Sequence, residues 1–385
     1  MNPVDVTALH AAPHYGSFVF AGGGTNLLAA LLAVPGASAT VADARVPYAP
    51  AAMAQYLGGH PDQAVAVDTV RAMAMAALRQ TLSLGVPDGK EPFGFAVTAS
   101  LRSATSKRGE HRAHIGLQTL AESYTLSLTL TKDARDRGAE EALVSALAWS
   151  LLAEHAGIAC PPMKLLAGEI VVRDRHPGNP AWRRLLAGDV DALDFATGAP
   201  PPQGKASRLI FPGSFNPPHD GHAQMVAIAE ARTGLTVAYE LCIANVDKPP
   251  LDYAQISQRG RRITTQRQLW LSRAGTFAMK ARVFPGATFI VGLDTLVRIA
   301  ESRFYPSVEI RDRVAAEIAA LGCRFLVFGR KLGDTFLTID DVQLPAALRA
   351  LCDAVPETAF RADVSSAQLR ALRGDSTDGQ DQPTD

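Results

Sequence analysis

The chain is poor in cysteine, has no surplus of either charge, and contains no long apolar run. Its four cysteines, Cys160, Cys242, Cys323 and Cys352, lie far apart and form no CxxC pair. That spacing excludes a dense disulfide framework and reads as reduced, partly buried thiols in a cytoplasmic protein. Thirty-eight Lys+Arg balance 38 Asp+Glu, for a formal net charge of zero. A nucleic-acid coat or a polybasic membrane binder is thereby excluded for the chain as a whole, while a local basic pocket stays open. The nearest approach to a membrane-length segment, Leu27 to Val41, is interrupted by Pro35, Gly36 and Ser38. The opening MNPVDVTALHAAP has neither the basic start nor the apolar stretch of a signal peptide. What is present is ordinary globular material: 385 residues, 47% hydrophobic. At roughly 100–200 residues per domain, two or three domains are expected.

Composition and periodicity divide the chain. Residues 1–165 read as an α/β domain, opening with the apolar strand Ser17–Phe20, which empties into the glycine-rich turn Ala21-Gly22-Gly23-Gly24-Thr25. Helical patterns follow at Asn26–Leu32, Ala64–Leu84 and Ala139–Ala156, with strands at Phe93–Thr98, His114–Thr119 and Tyr124–Leu130. Residues 166–206 read as a linker ending in Ala199-Pro200-Pro201-Pro202-Gln203-Gly204. Residues 207–373 alternate strands (Arg208–Phe211, Tyr239–Ala244, Thr288–Val291, Arg324–Phe328) with helical stretches, which predicts a doubly wound parallel sheet. The polar, acidic tail 374–385 is expected to be disordered.

The densest chemical signal is Gly213-Ser214-Phe215-Asn216-Pro217-Pro218-His219-Asp220-Gly221-His222, placed between a strand and a helical pattern. A helix N-terminus offers unpaired N–H groups and the positive end of its dipole to a polyphosphate. Gly213 and Gly221 allow the main chain to come close, and two imidazoles three residues apart can reach one phosphate chain. The stretch resembles the HxGH signature of the nucleotidyltransferase superfamily, most closely its nicotinate or nicotinamide mononucleotide adenylyltransferases. The resemblance implies a Rossmann-like fold in which His219 and His222 contact the NTP phosphates. It also implies that His222 stabilises charge on the α-phosphate during in-line attack, with magnesium carried on the phosphates and no covalent intermediate. Gly213, Ser214, Phe215 and Gly221 would line the phosphate site.

Further stretches fit that reading. Val364-Ser365-Ser366-Ala367-Gln368-Leu369-Arg370 resembles the family's ISSTxIR motif, implying that Ser365, Ser366 and Arg370 hold the β- and γ-phosphates. Phe289-Ile290-Val291-Gly292-Leu293-Asp294 looks like the family's GxD turn, in which Gly292 permits close approach and Asp294 meets a ribose. An N-cap role for Asp294 on a helix over 295–301 is an equal reading. Asp247-Lys248-Pro249-Pro250 matches a region that shapes the acceptor side in relatives. Arg259, Arg261, Arg262, Arg267 and Arg330 offer guanidinium groups to a mononucleotide phosphate, with a solvated arginine face as the alternative. Ile263 to Pro285 lacks the family's YT-type pattern for the pyridine ring, and Thr276-Phe277 stands as its substitute.

Residues 22–159 resemble the C-terminal domain of the CinA family, the nicotinamide mononucleotide amidohydrolases, through Leu27–Ser38, Val46-Pro47-Tyr48 and Asp68–Ala74. That family's Ser before its Thr-Gly-Gly turn is missing here, and Met53 falls where its Lys is expected. The GIAGP-type loop is replaced by Thr98–Ser103. An unassisted Thr25 is a poor nucleophile and reads better as a capping residue, so no hydrolase activity is expected, although the turn remains open to a phosphate.

The expectation is therefore a two-domain α/β enzyme of NAD biosynthesis. It would transfer an adenylyl group from ATP, with Mg2+ bound through the nucleotide phosphates, to a pyridine mononucleotide and release pyrophosphate. Alternatives are a cytidylyl- or phosphopantetheine adenylyl-type transferase, and a nucleotide-binding sensor without turnover. The partners implied are small nucleotides, with no nucleic acid, membrane or protein-held metal; homo-oligomerisation is left open.

Overall fold

The computed structural model describes residues 2–105, 109–244, 249–264, 267–301, 305, 307–332 and 335–360. Two units emerge: residues 1–187 together with 245–256, and residues 188–244 together with 257–385.

The first unit runs α1 (Pro3–Ala11), β1 (His14–Ala21), α2 (Thr25–Leu32), β2 (Val41–Arg45), α3 (Pro50–Leu57) and α4 (Val67–Leu84). It continues with β3 (Glu91–Ser100), β4 (His111–Thr119), β5 (Glu122–Leu130), α5 (Arg137–His155), β6 (Val171–Pro177) and α6 (Pro180–Ala187). Its sheet has the order β2-β1-β3-β4-β5-β6, parallel across β2-β1-β3 and antiparallel from β3 onward. Helix α4 buries Val70, Met73, Ala77 and Leu78, each worth up to about 1.5–3 kcal/mol of burial for the larger side chains. Gly94 makes that packing feasible: a Cβ there would lie 2.0 Å from the Ala74 carbonyl oxygen. Residues 249–256 also pack into this unit. Tyr253 is wholly buried, donates its hydroxyl to the Leu120 carbonyl at 2.7 Å, and stacks against Trp182.

The second unit contains β7 (Ala192–Asp194), β8 (Arg208–Pro212), α7 (Asp220–Thr233), β9 (Val237–Cys242), the end of α8 (Tyr253–Ile263), β10 (Leu269–Ser272) and α9 (Phe277–Val283). Then follow β11 (Ala287–Gly292), α10 (Leu293–Ala300), α11 (Val308–Ala320), β12 (Arg324–Phe328), the ribbon β13 (Arg330–Leu332) and β14 (Thr335–Leu337), α12 (Ala346–Arg349) and β15 (Cys352–Val355). The sheet order is β15-β12-β11-β8-β9-β10-β7. All neighbours are parallel except β7, which pairs antiparallel with β10 through Leu193 and Leu271. Leu209–Phe211, Phe289–Val291 and Phe325–Phe328 are buried throughout, as strands covered on both faces must be. From β8 the six parallel strands follow the doubly wound order, with β8 and β11 at the point where the winding reverses.

Both α/β expectations hold, with differences in the details. Residues 166–206, read above as a linker, carry β6, α6 and β7. Strand β9 begins two residues before the expected Tyr239 and ends at Cys242. The short strand β10 gave no sequence signal: Leu269–Ser272 has too few residues to show a period.

Candidate functional site

In an open α/β sheet, ligands bind beyond the carboxyl ends of the strands where the winding reverses. Here that position lies between the ends of β8 and β11, whose Ile210 and Phe289 stand opposite one another. Strand β8 delivers Gly213–Pro218 and then the N-terminus of α7; strand β11 delivers Gly292 and Asp294.

An aromatic nest shapes the phosphate loop. Phe215 is buried at a left-handed φ of 45°, with its ring edge-on to Tyr239 (4.8 Å), His222 (5.2 Å) and Phe211 (5.4 Å). A Cβ on Gly213 would stand 2.5 Å from that ring. Gly213 is thus required for Phe215 to fold back beneath the loop, a packing role that the sequence reading did not include. Phe215 likewise forms the floor. The Gly213 amide is fixed to the Glu240 carbonyl at 3.0 Å, and the Ser214 carbonyl accepts from Arg259 Nη1 at 3.4 Å.

His219 is the N-cap of α7, Gly221 is buried in the first turn, and His222 is the third helical residue. The His222 side chain turns back to accept the His219 amide on Nδ1 at 3.1 Å. The two imidazoles stack with centroids 3.7 Å apart and an interplanar angle of 27°. Among the described residues, the buried His219 Nδ1 has no hydrogen-bond partner. Burial depresses both imidazoles, His222 to about 3 with help from its neighbour, while Asp220 opposes the effect on His219. At neutral pH the pair is uncharged, next to a helix N-terminus that favours anions.

On the opposite wall, Gly292 is the N-cap of α10, and a Cβ placed on it would meet nothing. Asp294 lies in the first turn of α10 and is therefore not its N-cap. Its carboxylate is engaged by Arg330, at the start of β13 beyond the end of β12; both side chains remain about half exposed, 57% and 47%. Sequence reasoning named both residues but not the pairing, which spans 36 positions and depends on β11 and β12 being neighbours.

The other arginines separate. Arg267 is committed to Glu230, whose Oε1 also accepts the Val237 amide at 2.9 Å. Arg261 and Arg262 are exposed on α8. Thr276 caps α9, and Phe277 packs edge-on to Phe289 and Phe325 at 5.5 and 5.4 Å. That corrects the expectation for Thr276-Phe277: they belong to a helix cap and the core. Ser365, Ser366, Arg370, Asp247 and Lys248 lie outside the described residues.

Sequence reasoning missed a buried charged network beside the phosphate loop. Glu240 of β9, wholly buried, takes Lys280 Nζ of α9 on both oxygens at 2.8 and 2.7 Å and also accepts from the Ser272 hydroxyl. The signal was Glu240, a charged residue inside the otherwise apolar run Val237–Cys242; Lys280 shares Phe277–Val283 with Arg282 and was not marked out in the same way.

In the first unit, the glycine-rich turn has an occupant. Glu141 of α5 accepts from the Gly24 amide (2.9 Å), the Asn26 amide (3.2 Å) and the Thr25 hydroxyl (3.1 Å). The expectation of a turn open to phosphate is corrected: a carboxylate of the same chain holds these donors. Thr25 is also not the cap, a position taken by Gly24. Met53 is a buried core residue.

Residues 210–372 match the cytidylyltransferase-like family model. No curated protein matches the chain. Among solved structures, the N-terminal part resembles the competence/damage inducible protein CihA from Agrobacterium tumefaciens, at 18% identity and a TM-score of 0.33, covering 40% of this chain and 97% of that one. A CinA superfamily protein from Escherichia coli matches at 16% identity and 0.32, covering 40% and 93%. A competence or damage-inducible protein from Enterobacter asburiae matches at 19% and 0.32, covering 40% and 94%.

Proposed function

We propose, from the premise that residues 210–372 form a cytidylyltransferase-like domain and hence a nucleotidyltransferase, that this enzyme transfers an adenylyl group from ATP to a pyridine mononucleotide. The observation that supports the reading best is the stacked His219–His222 pair at the N-terminus of α7, where the sheet winding reverses. In the reaction a phosphate oxygen of the acceptor forms a bond to the α-phosphorus, and the bond to the β-phosphate oxygen breaks in line, releasing pyrophosphate. Such a reaction needs little covalent help from the protein and much positioning and electrostatic complementarity. The amides at the start of α7 and the two imidazoles take the phosphates; His222 meets the charge that develops on the α-phosphate. Gly292 leaves room for the nucleotide, and Asp294 offers a carboxylate to ribose hydroxyls once Arg330 turns to an incoming phosphate. Ser365, Ser366 and Arg370 complete the β- and γ-phosphate site in this proposal.

Imidazole nitrogens and backbone amides suit phosphate oxygens rather than a cation, so Mg2+ arrives on the nucleotide. When bound, it neutralises triphosphate charge and eases pyrophosphate departure. The family description itself favours a second reading, cytidylyl transfer. Purified full-length protein with Mg2+, each NTP in turn and a panel of phosphorylated acceptors, assayed for pyrophosphate, separates the two. Release from ATP only with nicotinate or nicotinamide mononucleotide supports the first reading, and release from CTP alone replaces it.

For the first unit we propose ligand-free structural or assembly service without amide hydrolysis. Its turn contains no serine, Met53 is packed in the core, and the Thr25 hydroxyl is already given to Glu141. Ammonia release from nicotinamide mononucleotide that disappears in Thr25→Ala would overturn this.

A further inference from the structure

The two histidines of the phosphate loop occupy unequal hydrogen-bonding positions, and this fixes which of them can carry charge. A neutral imidazole has one donor nitrogen and one acceptor nitrogen. His222 Nδ1 is an acceptor, because the group facing it at 3.1 Å is the His219 backbone N–H, which can only donate. Its proton therefore sits on Nε2. A second proton would have to go on Nδ1, setting N–H against N–H and stranding the partly buried His219 amide. The rings of Phe211 and Phe215 pack edge-on against His222 at 5.7 and 5.2 Å, which opposes a ring flip that would exchange the nitrogens.

His219 is under no such restriction. The start of α7 has capping-box geometry, so the His222 amide faces the His219 side chain as well as its carbonyl; the hydrogen bond goes to the carbonyl at 2.9 Å, and among the described residues the buried His219 Nδ1 has no hydrogen-bond partner. Two imidazolium rings with centroids 3.7 Å apart would repel strongly, so the pair holds at most one proton. Among the described residues, the titratable groups around them are Asp220, exposed beside His219 on α7, the Tyr239 phenol of β9, and Arg259 of α8, whose Nη1 reaches the Ser214 carbonyl at 3.4 Å; behind Tyr239, Arg267 and Glu230 neutralise each other.

We infer that His222 acts as a permanently neutral imidazole donating from Nε2, and that His219 is the member of the pair that takes up a proton when the triphosphate arrives. This assignment rests on the nucleotidyl-transfer reading for its second half only. It gives the loop a division of labour. His219 supplies a charge created by the substrate itself, whereas His222 supplies a fixed hydrogen bond whose strength does not change with pH.

The test is histidine-selective 15N NMR of the full-length protein between pH 5 and 8, free and with Mg2+ and α,β-methylene-ATP. In the free protein His222 is expected to show the Nε2–H tautomer with no titration across the range. With the analogue bound, His222 keeps that tautomer, and His219 becomes imidazolium at a pH where it was neutral. An imidazolium signal from His222 in either state, or the Nδ1–H tautomer, overturns the assignment. If the analogue fails to bind, the functional reading falls, while the free-protein tautomer still decides the assignment for His222. Turnover gives an independent arm. Glutamine places a neutral N–H donor near the position of Nε2, so His222→Gln is expected to lose no more than about tenfold, against about 10²–10³-fold for His222→Ala. A Gln variant as slow as the Ala variant, with analogue affinity intact, refutes the neutral-donor role.

Discussion

Replacing Lys280 with methionine isolates the buried network beside the phosphate loop. Lys280 is 4% exposed and Glu240 is fully buried, so neither charge is relieved by water. The ammonium spans both carboxylate oxygens at 2.8 and 2.7 Å, and the Ser272 hydroxyl is the remaining side-chain donor to Glu240. Methionine keeps most of the lysine stem's packing and removes the charge, leaving a carboxylate in the interior with one neutral donor. Breaking a buried pair from one side costs about 3–5 kcal/mol. At about 2–4 °C of melting temperature per kcal/mol for a domain of this size, the second unit's transition should fall by roughly 6–20 °C. Calorimetry of the full-length protein reads this directly, since the two units can melt separately. The paired variant Glu240→Met with Lys280→Met removes both charges and should recover most of the loss. A single variant within about 1 kcal/mol of wild type would show that the carboxylate finds other solvation. A paired variant no better than the single one would show that packing, and not the uncompensated charge, sets the cost.

The remaining predictions concern the site wall, the first unit's turn and acid stability. Gly292→Ala should leave the melting temperature unchanged or slightly raised, because a Cβ there meets nothing and the φ of −78° suits alanine, yet weaken nucleotide binding at least tenfold by isothermal titration; unchanged affinity would place the nucleotide elsewhere. Glu141→Ala strips the acceptor from two amides and a hydroxyl and should destabilise the first unit by about 1–3 kcal/mol in urea unfolding; a loss below half a kcal/mol, roughly, would show that water serves these donors equally well. The Glu169 carboxyl, hydrogen-bonded by Arg135 and by the Thr131 and Leu166 amides, is held down at about 2 from an ordinary 4.5. Its folded-state value is the lower one, so its contribution is complete above pH 4.5 and is lost as pH falls toward 2. At most about 3 kcal/mol is involved, and Glu169→Gln should flatten the acid limb of first-unit stability over that window; an unaltered limb refutes the coupling.

Local signals were legible and distant pairings were not. Strand, loop and helix run consecutively from Arg208 to Thr233, so the phosphate loop could be placed from its own residues. Gly292 was named as part of a turn after a strand, and the doubly wound sheet that the alternation predicted is what brings that strand end beside the loop, since in such sheets the winding selects which strand ends meet. What Gly213 does was not legible. Its need for a small side chain comes from the Phe215 ring folded beneath it, and a glycine that admits a ring looks in sequence like one that admits a phosphate. The fate of residues 249–256 was equally hidden. Asp252 and Tyr253 stand at the start of α8, but the Arg71 guanidinium, 3.4 Å from Asp252, and the Leu120 carbonyl that accepts from Tyr253 come from far earlier in the chain.

The two turn-to-helix junctions make the same point in chemical terms. Gly24 before α2 and His219 before α7 both end a strand-loop run, and both present amides that attract anions. From sequence each was open to phosphate. At the first, a carboxylate 117 residues away accepts the Gly24 amide at 2.9 Å, so the demand of that helix end is met from within the chain. At the second, Asp220 is exposed, and among the described residues the His219 nitrogen beside the helix start is buried and unpartnered. An unmet polar group in the interior is costly, and a folded chain keeps one where a ligand will meet it. The difference between a closed junction and an open one therefore lies in a single distant glutamate, which no reading of either turn alone contains.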